Sequence, residues 1–479
     1  MTDFILKTLD GGTRSLPAKM ISALRADMTG PLLLPGDGGY DTARCVWNAM
    51  IDKRPALIAC CADANDVAAA VNFARQTDAL ISIKGGGHNI AGNAVTEGGL
   101  MIDLSAMNNV DVNPATHHVQ VGPGATLAEL DAATTPYGLA VPVGINSTTG
   151  IAGLTLGGGF GWLTRAHGLT IDSLIAADVV TADGARLCAT ADENPDLFWA
   201  IRGGGGNFGV ITRFEFQARV VRSNLLCGLL FLPLERAREL FALQRELMEG
   251  GSEELTTWMV VRNAPPMPFL PEESHGTGIA LMAFCCAGEP VEGEALIAPL
   301  RAIKDPLALL AGIQPFAEFQ QIFDPLLIPG ARNYWKSHDL LELPDTAVEA
   351  LIEAVDRLPD AETEIFVAQI GGAMSRVAPH ETAFVQRRPH YVVNIHTRWQ
   401  DPAKDDAARG WARGLFEALA PYSAGVYVNF MPAEESARVA EAYGANYARL
   451  TTVKACYDPE NRFRLNQNII PDAEVQLAG

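Results

Sequence analysis

Basic residues are scarce in this sequence. Its 479 residues include 36 Lys and Arg against 56 Asp and Glu, a formal net charge of −20. A sequence-independent grip on nucleic acid, or on an anionic membrane surface, needs basic patches, so neither is expected. Long apolar runs are missing too. The longest, LLCGLLFLPL from Leu225 to Leu234, is too short to span a bilayer and reads as a buried strand. The start, MTDFILKTLDGGTRSLP, has an early Asp3 and neither a long apolar core nor a small-residue cleavage site, so no secretory signal is expected. None of the eight cysteines stands in a CxxC, and two pairs are adjacent, Cys60–Cys61 and Cys285–Cys286. Without regular spacing or a signal they read as reduced thiols of a cytoplasmic protein. No Cys/His set has zinc spacing, and no GxSxG occurs, so neither a metal nor a serine nucleophile is signalled.

The length exceeds one ordinary core, which predicts two domains. Residues 56–86 alternate strand, helix and strand: ALIACCA, then DANDVAAAVNFARQTD with acidic residues near its start, then ALISIK. Glycine then dominates up to Gly209, with strand-like pieces LMIDL, HHVQVG, IAADVVTADG and VITRFEF between the clusters. His117 and His118 read as strand neighbours facing opposite sides. From about residue 222 glycine thins out. Amphipathic helical segments such as DTAVEALIEAVDRL and DDAARGWARGLFEALAP then alternate with strands such as EIFVAQIGGA and HYVVNIHTRW. That texture predicts an α+β layer, a sheet with helices on one side.

Four glycine clusters fall within the first half: GGGHNIAGN, GPGATLAEL, GLTLGGGFGWL and RGGGGNFGVI. Each alone fits tight turns and bulges, because glycine reaches positive φ without strain. Together they favour backbone that lies against a ligand, where amide N–H groups approach phosphate closely. Gly204, Gly206 and Gly209 match GxGxxG, but VITRFEF follows as a strand where a dinucleotide fingerprint needs a helix. GGGHN lacks the Lys-Ser/Thr ending of a Walker loop. His88 directly follows three glycines. An imidazole there faces whatever lies over the turn, and imidazole is nucleophilic toward an electrophilic methyl group of an oxidised flavin.

These residues resemble a known family. IKGGGHNIAGN, VGPGATLAELD, TTGIAGLTLGGGFGWLTRAHGLTID, DLFWAIRGGGGNFGVITRFEF and the tail YDPENRFRLNQNI are similar, in order over about residues 32–471, to FAD-linked oxidases of the berberine bridge enzyme type. Those enzymes have the vanillyl-alcohol-oxidase fold with a PCMH-type FAD domain, and the bacterial branch with 6-hydroxynicotine oxidase is the more similar one. The resemblance implies a two-domain α+β fold: an FAD-binding domain over 1–221, with its core at about 53–221, a substrate domain over 222–423, and a segment 424–479 returning to the FAD domain. It implies that His88 carries FAD covalently. Asn146 stands where many members place a second linking cysteine, so one bond is implied. Lys84, Gly85, Gly86, Gly87 and Asn89 would wrap the pyrophosphate. Thr148, Thr149, Gly150, Gly153, Gly157, Gly158, Gly159 and Trp162 would line the ribityl and diphosphate path. Gly209, Val210 and Ile211 would meet the adenine end, and Asn429, Asn466 and Asn468 would return to the flavin.

The departures bear on chemistry. Where plant and sugar-oxidising members have a catalytic tyrosine in YxNY, this chain reads Tyr427-Val428-Asn429-Phe430. On the strand Tyr391–His396, Val392 is matched to a glutamate of the plant members. Neither Phe430 nor Val392 takes a proton, so the candidates become Tyr427, His396, His390 and Tyr334; Lys336 in NYWKS could pair with a carboxylate. Each also has an ordinary reading as a packing or cross-strand residue. Thr149 matches the position that gates oxygen in the family, and threonine has the shape of the permissive valine. The expected activity is hydride transfer from an alcohol, an amine or a C–C/C–N bond of a small molecule to FAD, with O₂ as acceptor. A dehydrogenase with another acceptor, and a non-redox flavoprotein that sequesters a metabolite, remain open. Nothing in the sequence fixes the oligomeric state.

Overall fold

The computed structural model describes residues 4–476, so Asp3 and the last three residues of the expected C-terminal segment lie outside it. A hairpin of β1 (Phe4–Lys7) and β2 (Thr13–Leu16) comes first. Then β3 (Leu32–Leu33), β4 (Leu57–Cys60), β5 (Ile81–Lys84) and β6 (Leu100–Asp103) form a sheet in the order 3-4-6-5. Strands β4, β5 and β6 run parallel. The crossover from β4 to β5 is the helix Ala64–Thr77, opened by Asp63, whose carboxylate takes the amides of Asn65 and Asp66. Its Val67, Ala70, Val71 and Ala74 pack on Leu57, Ile81 and Ile102, as the apolar spacing predicts.

The second sheet is antiparallel, built from β7 (Val110–Asn113), β8 (His118–Val121), β10 (Leu174–Val180), β11 (Arg186–Thr190) and β12 (Val210–Gln217) in the order 11-10-12-8-7. Short strands β9 (Leu139–Ala140) and β13 (Arg219–Val220) pair beside it. The strand read from HHVQVG starts one residue late: His117 has φ 58 and turns the chain, so only His118 belongs to β8. RGGGGNFG leads directly into β12, as the sequence pattern indicated.

The third sheet has seven antiparallel strands: β14 (Asn224–Pro233), β15 (Leu255–Asn263), β16 (Gly278–Cys286), β17 (Ala308–Pro315), β18 (Arg332–Leu340), β19 (Glu364–Ile370) and β20 (His390–Trp399), in the order 17-14-16-15-19-20-18. The apolar run at 225–234 is nearly all β14, buried throughout its middle. Helices Ala237–Met248, Asp345–Val355 and Asp405–Leu419 cover one face, packing on Met259, Val367 and Ile395. The other face carries Trp258, Ala368 and Val392, and packs against Phe160, Trp162 and Leu163 from the glycine-rich half. Alternation along each strand sorts the two faces. Among the described residues no helix is long and apolar enough to cross a membrane.

One contact between the halves is expected to depend on pH. Asp131, on helix Leu127–Thr134, is buried and accepts a hydrogen bond from Gln320 Nε2 at 3.2 Å. Burial pushes its pKa up to about 7, with Gln320 pulling the other way. The folded chain therefore keeps a proton that the unfolded chain releases near pH ~4. That stabilisation is complete below ~4 and is lost as the pH rises through about 7. Asp131→Asn keeps the acceptor and removes the charge. It is expected to leave urea stability unchanged at pH 4 and to raise it at pH 8 by about 2–4 kcal/mol.

Candidate active site

The glycine loops meet backbone to backbone. A Cβ on Gly86 would stand 2.4 Å from the amide of Gly150, and one on Gly150 would stand 2.4 Å from the amide of Gly86. Side chains are therefore excluded at both positions. Gly87 then turns the chain with φ 71 and delivers His88. These loops open onto a cavity of about 340 Å³, which runs from β5 and β12 to the sheet face of β15, β19, β20 and β18. Gly85, Gly86, Gly87, His88, Asn89, Asn146, Thr149, Gly150, Gly153, Gly209, Val210, Ile211, Asn429 and Asn466 all line it. A Cβ at Gly153 or Gly206 would meet no atom within 4 Å, so the wall there is open space.

His88 stacks on Trp47, ring centroids 5.0 Å apart at 21°. Its Nε2 lies 2.9 Å from Thr148 Oγ1. Burial lowers the imidazole's pKa to about 4, so it is neutral at physiological pH. At the far wall, cross-strand register sets the side chains in rows. One row is Arg262, Glu364, His396 and Trp335; the next is Val260, Phe366, Asn394 and Ser337; the third is Trp258, Ala368, Val392 and Asp339. Arg262 donates to Glu364 Oε2, and His396 Nδ1 lies 3.4 Å from Glu364 Oε1. Burial alone would raise Glu364, yet Arg262 and His396 hold its pKa down to about 2. Burial lowers that of His396, against the pull of Glu364.

Tyr427 lies between the two ends. Its hydroxyl accepts hydrogen bonds from Asn429 Nδ2 at 2.9 Å and from the Gly159 amide at 3.2 Å. Burial raises its pKa to about 12, with both donors acting against the rise. Phe160 and Phe430 pack on its ring edge-on.

Several expected residues stand elsewhere. Tyr334 lies on the helix-covered face of β18, donating to Glu434 and receiving Arg413 Nε at 3.1 Å. Its neighbour Trp335 is the one that faces the cavity, because successive strand residues alternate. His390 is held by the Arg388 carbonyl at 2.7 Å, off the cavity, and Lys336 is buried against Glu435. Lys84 Nζ is occupied by the Ala43 carbonyl at 2.7 Å and lies 3.4 Å from Asp103. Gly158 packs on Phe384 and Gly159 on Thr170; Trp162 is buried behind the wall, stacked 4.3 Å from Trp258. Thr148 reaches the site through His88, and Asn468 does not line the cavity. On β20, Val392 is buried short of the cavity, and Asn394, two residues on, reaches it. Trp47, Glu364 and Asn394 were not singled out by the sequence.

Comparison with known proteins agrees with this architecture. A family model described as "FAD binding domain" matches residues 55–189, and one described as "Berberine and berberine like" matches residues 426–470. An uncharacterized FAD-linked oxidoreductase of Bacillus subtilis, YgaK, is 32% identical over 93% of this chain and 98% of its own. A xylooligosaccharide oxidase of Thermothelomyces thermophilus is 30% identical over 91% of both chains. The solved structure of 6-hydroxy-D-nicotine oxidase from Arthrobacter nicotinovorans matches with a TM-score of 0.83 at 28% identity, covering 93% of this chain and 98% of that one. The chain therefore belongs to the FAD-linked oxidoreductases of the berberine bridge enzyme type and is an FAD-dependent oxidoreductase.

Proposed function

We propose that this protein is an oxidase that removes a hydride from a small organic alcohol, amine or C–C/C–N bond, with FAD linked covalently to His88 and O₂ as the final acceptor. One observation carries the reading: His88 emerges from a side-chain-free turn directly into the wall of the large cavity. The cavity fits FAD on other grounds too. The glycine loops touch at Gly86 and Gly150, and the cavity wall at Gly153 and Gly206 is open backbone with no atom near a Cβ position. Asn466 Oδ1, Asn394 Oδ1 and Tyr443 OH are buried on its wall with no hydrogen-bond partner among the described residues, and buried polar atoms normally have one. Residues 1–221 and 424–479 would hold the cofactor, and residues 222–423 would supply the substrate wall. When bound, FAD accepts a hydride from a substrate carbon.

The chain's own groups then have defined tasks. Gly85 to Asn89 and Thr149 to Gly153 offer backbone to the diphosphate and ribityl chain. Trp47, Trp335, Phe366 and Phe430 exclude water from the substrate end. Tyr427 already accepts two N–H bonds, so its own proton is free to move toward or away from a substrate oxygen or nitrogen. His396, held by Glu364, is the second proton-handling group; Tyr334 is displaced from this role by its position on the other face. Thr149, matched through the family resemblance to the oxygen-gating position, lines the cavity.

Tyr427→Phe is expected to lower kcat about 100-fold while leaving flavin content unchanged, measured by steady-state turnover against flavin absorbance. The reading as a whole is tested by mixing the yellow protein anaerobically with panels of amines, alcohols and sugars. A substrate that bleaches the flavin, followed by recolouring and peroxide release on admitting air, supports an oxidase. Recolouring only with an added quinone or dye would make it a dehydrogenase. Tight binding of a compound without bleaching would favour sequestration.

A further inference from the structure

The hydrogen bonds around His88 have a single consistent direction. Asn146 Oδ1 accepts the Thr148 hydroxyl at 2.8 Å and the Thr148 amide at 3.2 Å. An amide N–H has to find an oxygen, so the Asn146 side chain is fixed with Oδ1 toward Thr148. The one hydroxyl hydrogen of Thr148 is thereby used, and its oxygen faces His88 Nε2 as an acceptor at 2.9 Å. Nε2 must then be the protonated nitrogen of the neutral ring, which leaves the lone pair on Nδ1. The surroundings hold this arrangement. Ser147 N donates to Asp324 Oδ1 at 3.0 Å, Thr149 N donates to the Asn146 carbonyl at 3.1 Å, and Trp47, tied by its Nε1 to Leu327 O at 2.9 Å, stacks on the imidazole.

We infer that Thr148, backed by Asn146, is a positioning residue that fixes the His88 tautomer and directs the flavin bond to Nδ1. The inference rests on the covalent reading above and adds a role for position 146, which here orients the histidine. In the linking step an Nδ1–carbon bond forms at the flavin ring methyl and one methyl C–H bond breaks. That hydrogen and the imidazole N–H proton leave with the two electrons displaced onto the ring, and O₂ takes both electrons and protons as H₂O₂. Thr148 is the first neighbour of the departing Nε2 proton.

The test uses full-length protein purified from riboflavin-starved cells and then supplied with FAD. Acid-precipitable flavin is followed with time, and the linked nitrogen is identified by NMR of the isolated flavin peptide. Wild type and Thr148→Ser are expected to link through Nδ1 at similar rates. Thr148→Val and Asn146→Leu are expected to link at least ~10-fold more slowly, or to give a mixture of nitrogens, while still binding FAD reversibly. Linkage of the wild type through Nε2, or wild-type rate and regiochemistry in both Thr148→Val and Asn146→Leu, would overturn the inference and leave the covalent reading standing. Wild type that binds FAD with no acid-stable fraction would remove both.

Discussion

Replacing His88 with alanine should move all of the flavin out of the acid-precipitated protein and into the supernatant. The wild-type pellet should stay yellow. The glycine turn delivers the imidazole into the cavity wall, the amine of neighbouring Lys84 is held by the Ala43 carbonyl at 2.7 Å, and Asn146, on the same wall, has no thiol. FAD should still bind His88→Ala, because the touching loops at Gly86 and Gly150 offer backbone that the substitution leaves in place. Turnover should nevertheless fall by at least about tenfold, on the order of 1.4 kcal/mol of barrier, because a ring no longer tethered is held less well for hydride transfer. Absorbance of pellet and supernatant, beside steady-state rates, gives both numbers.

Asp458→Ala should be strongly destabilising. Asp458 is fully buried and accepts Lys454 Nζ at 2.6 Å and the amides of Arg462 and Phe463 at 2.8 Å each. Lys454 Nζ also donates to the carbonyls of Asn207 and Phe463, at 2.7 and 3.1 Å. This knot holds the last turn-rich stretch against the glycine loop at 204–209, and so sets Phe463, Leu465, Asn466 and Gln467 along the cavity. Burial lowers the Lys454 pKa to about 8 even with Asp458 present. Removing the carboxylate strands a buried ammonium and two amides, a loss of about 3–5 kcal/mol. The unfolding midpoint in urea should fall accordingly, and flavin retention with it. Asp458→Asn keeps an oxygen acceptor for one amide and should cost less.

Much of the cofactor half was legible because its constraints are local. Three glycines before a histidine, or GLTLGGGFG, encode turns within a few residues, and Gly87, Gly158 and Gly159 do take positive φ. The GxGxxG match at Gly204–Gly209 is not a dinucleotide loop, because the residues after Gly209 pattern as a strand and form β12. The substrate wall was much less legible. Glu364 and His396 become partners only through the pairing of β19 with β20, and a strand's sequence does not state its register. Tyr334 and Val392 illustrate the cost. A shift of one residue exchanges Tyr334 for Trp335 on the cavity face, and a shift of two exchanges buried Val392 for Asn394 on the cavity wall. Trp47 lies far from any motif and reaches His88 only because the loop after β3 folds back over the glycine turn.

The bond between His88 and the flavin is tested most directly by the mass of one peptide. Wild-type protein purified in the dark, denatured and digested, should yield a yellow peptide containing His88 that is heavier by FAD less two hydrogens, with fragmentation placing the addition on the imidazole. The same peptide recovered at its unmodified mass, with intact FAD free in solution, would contradict the account.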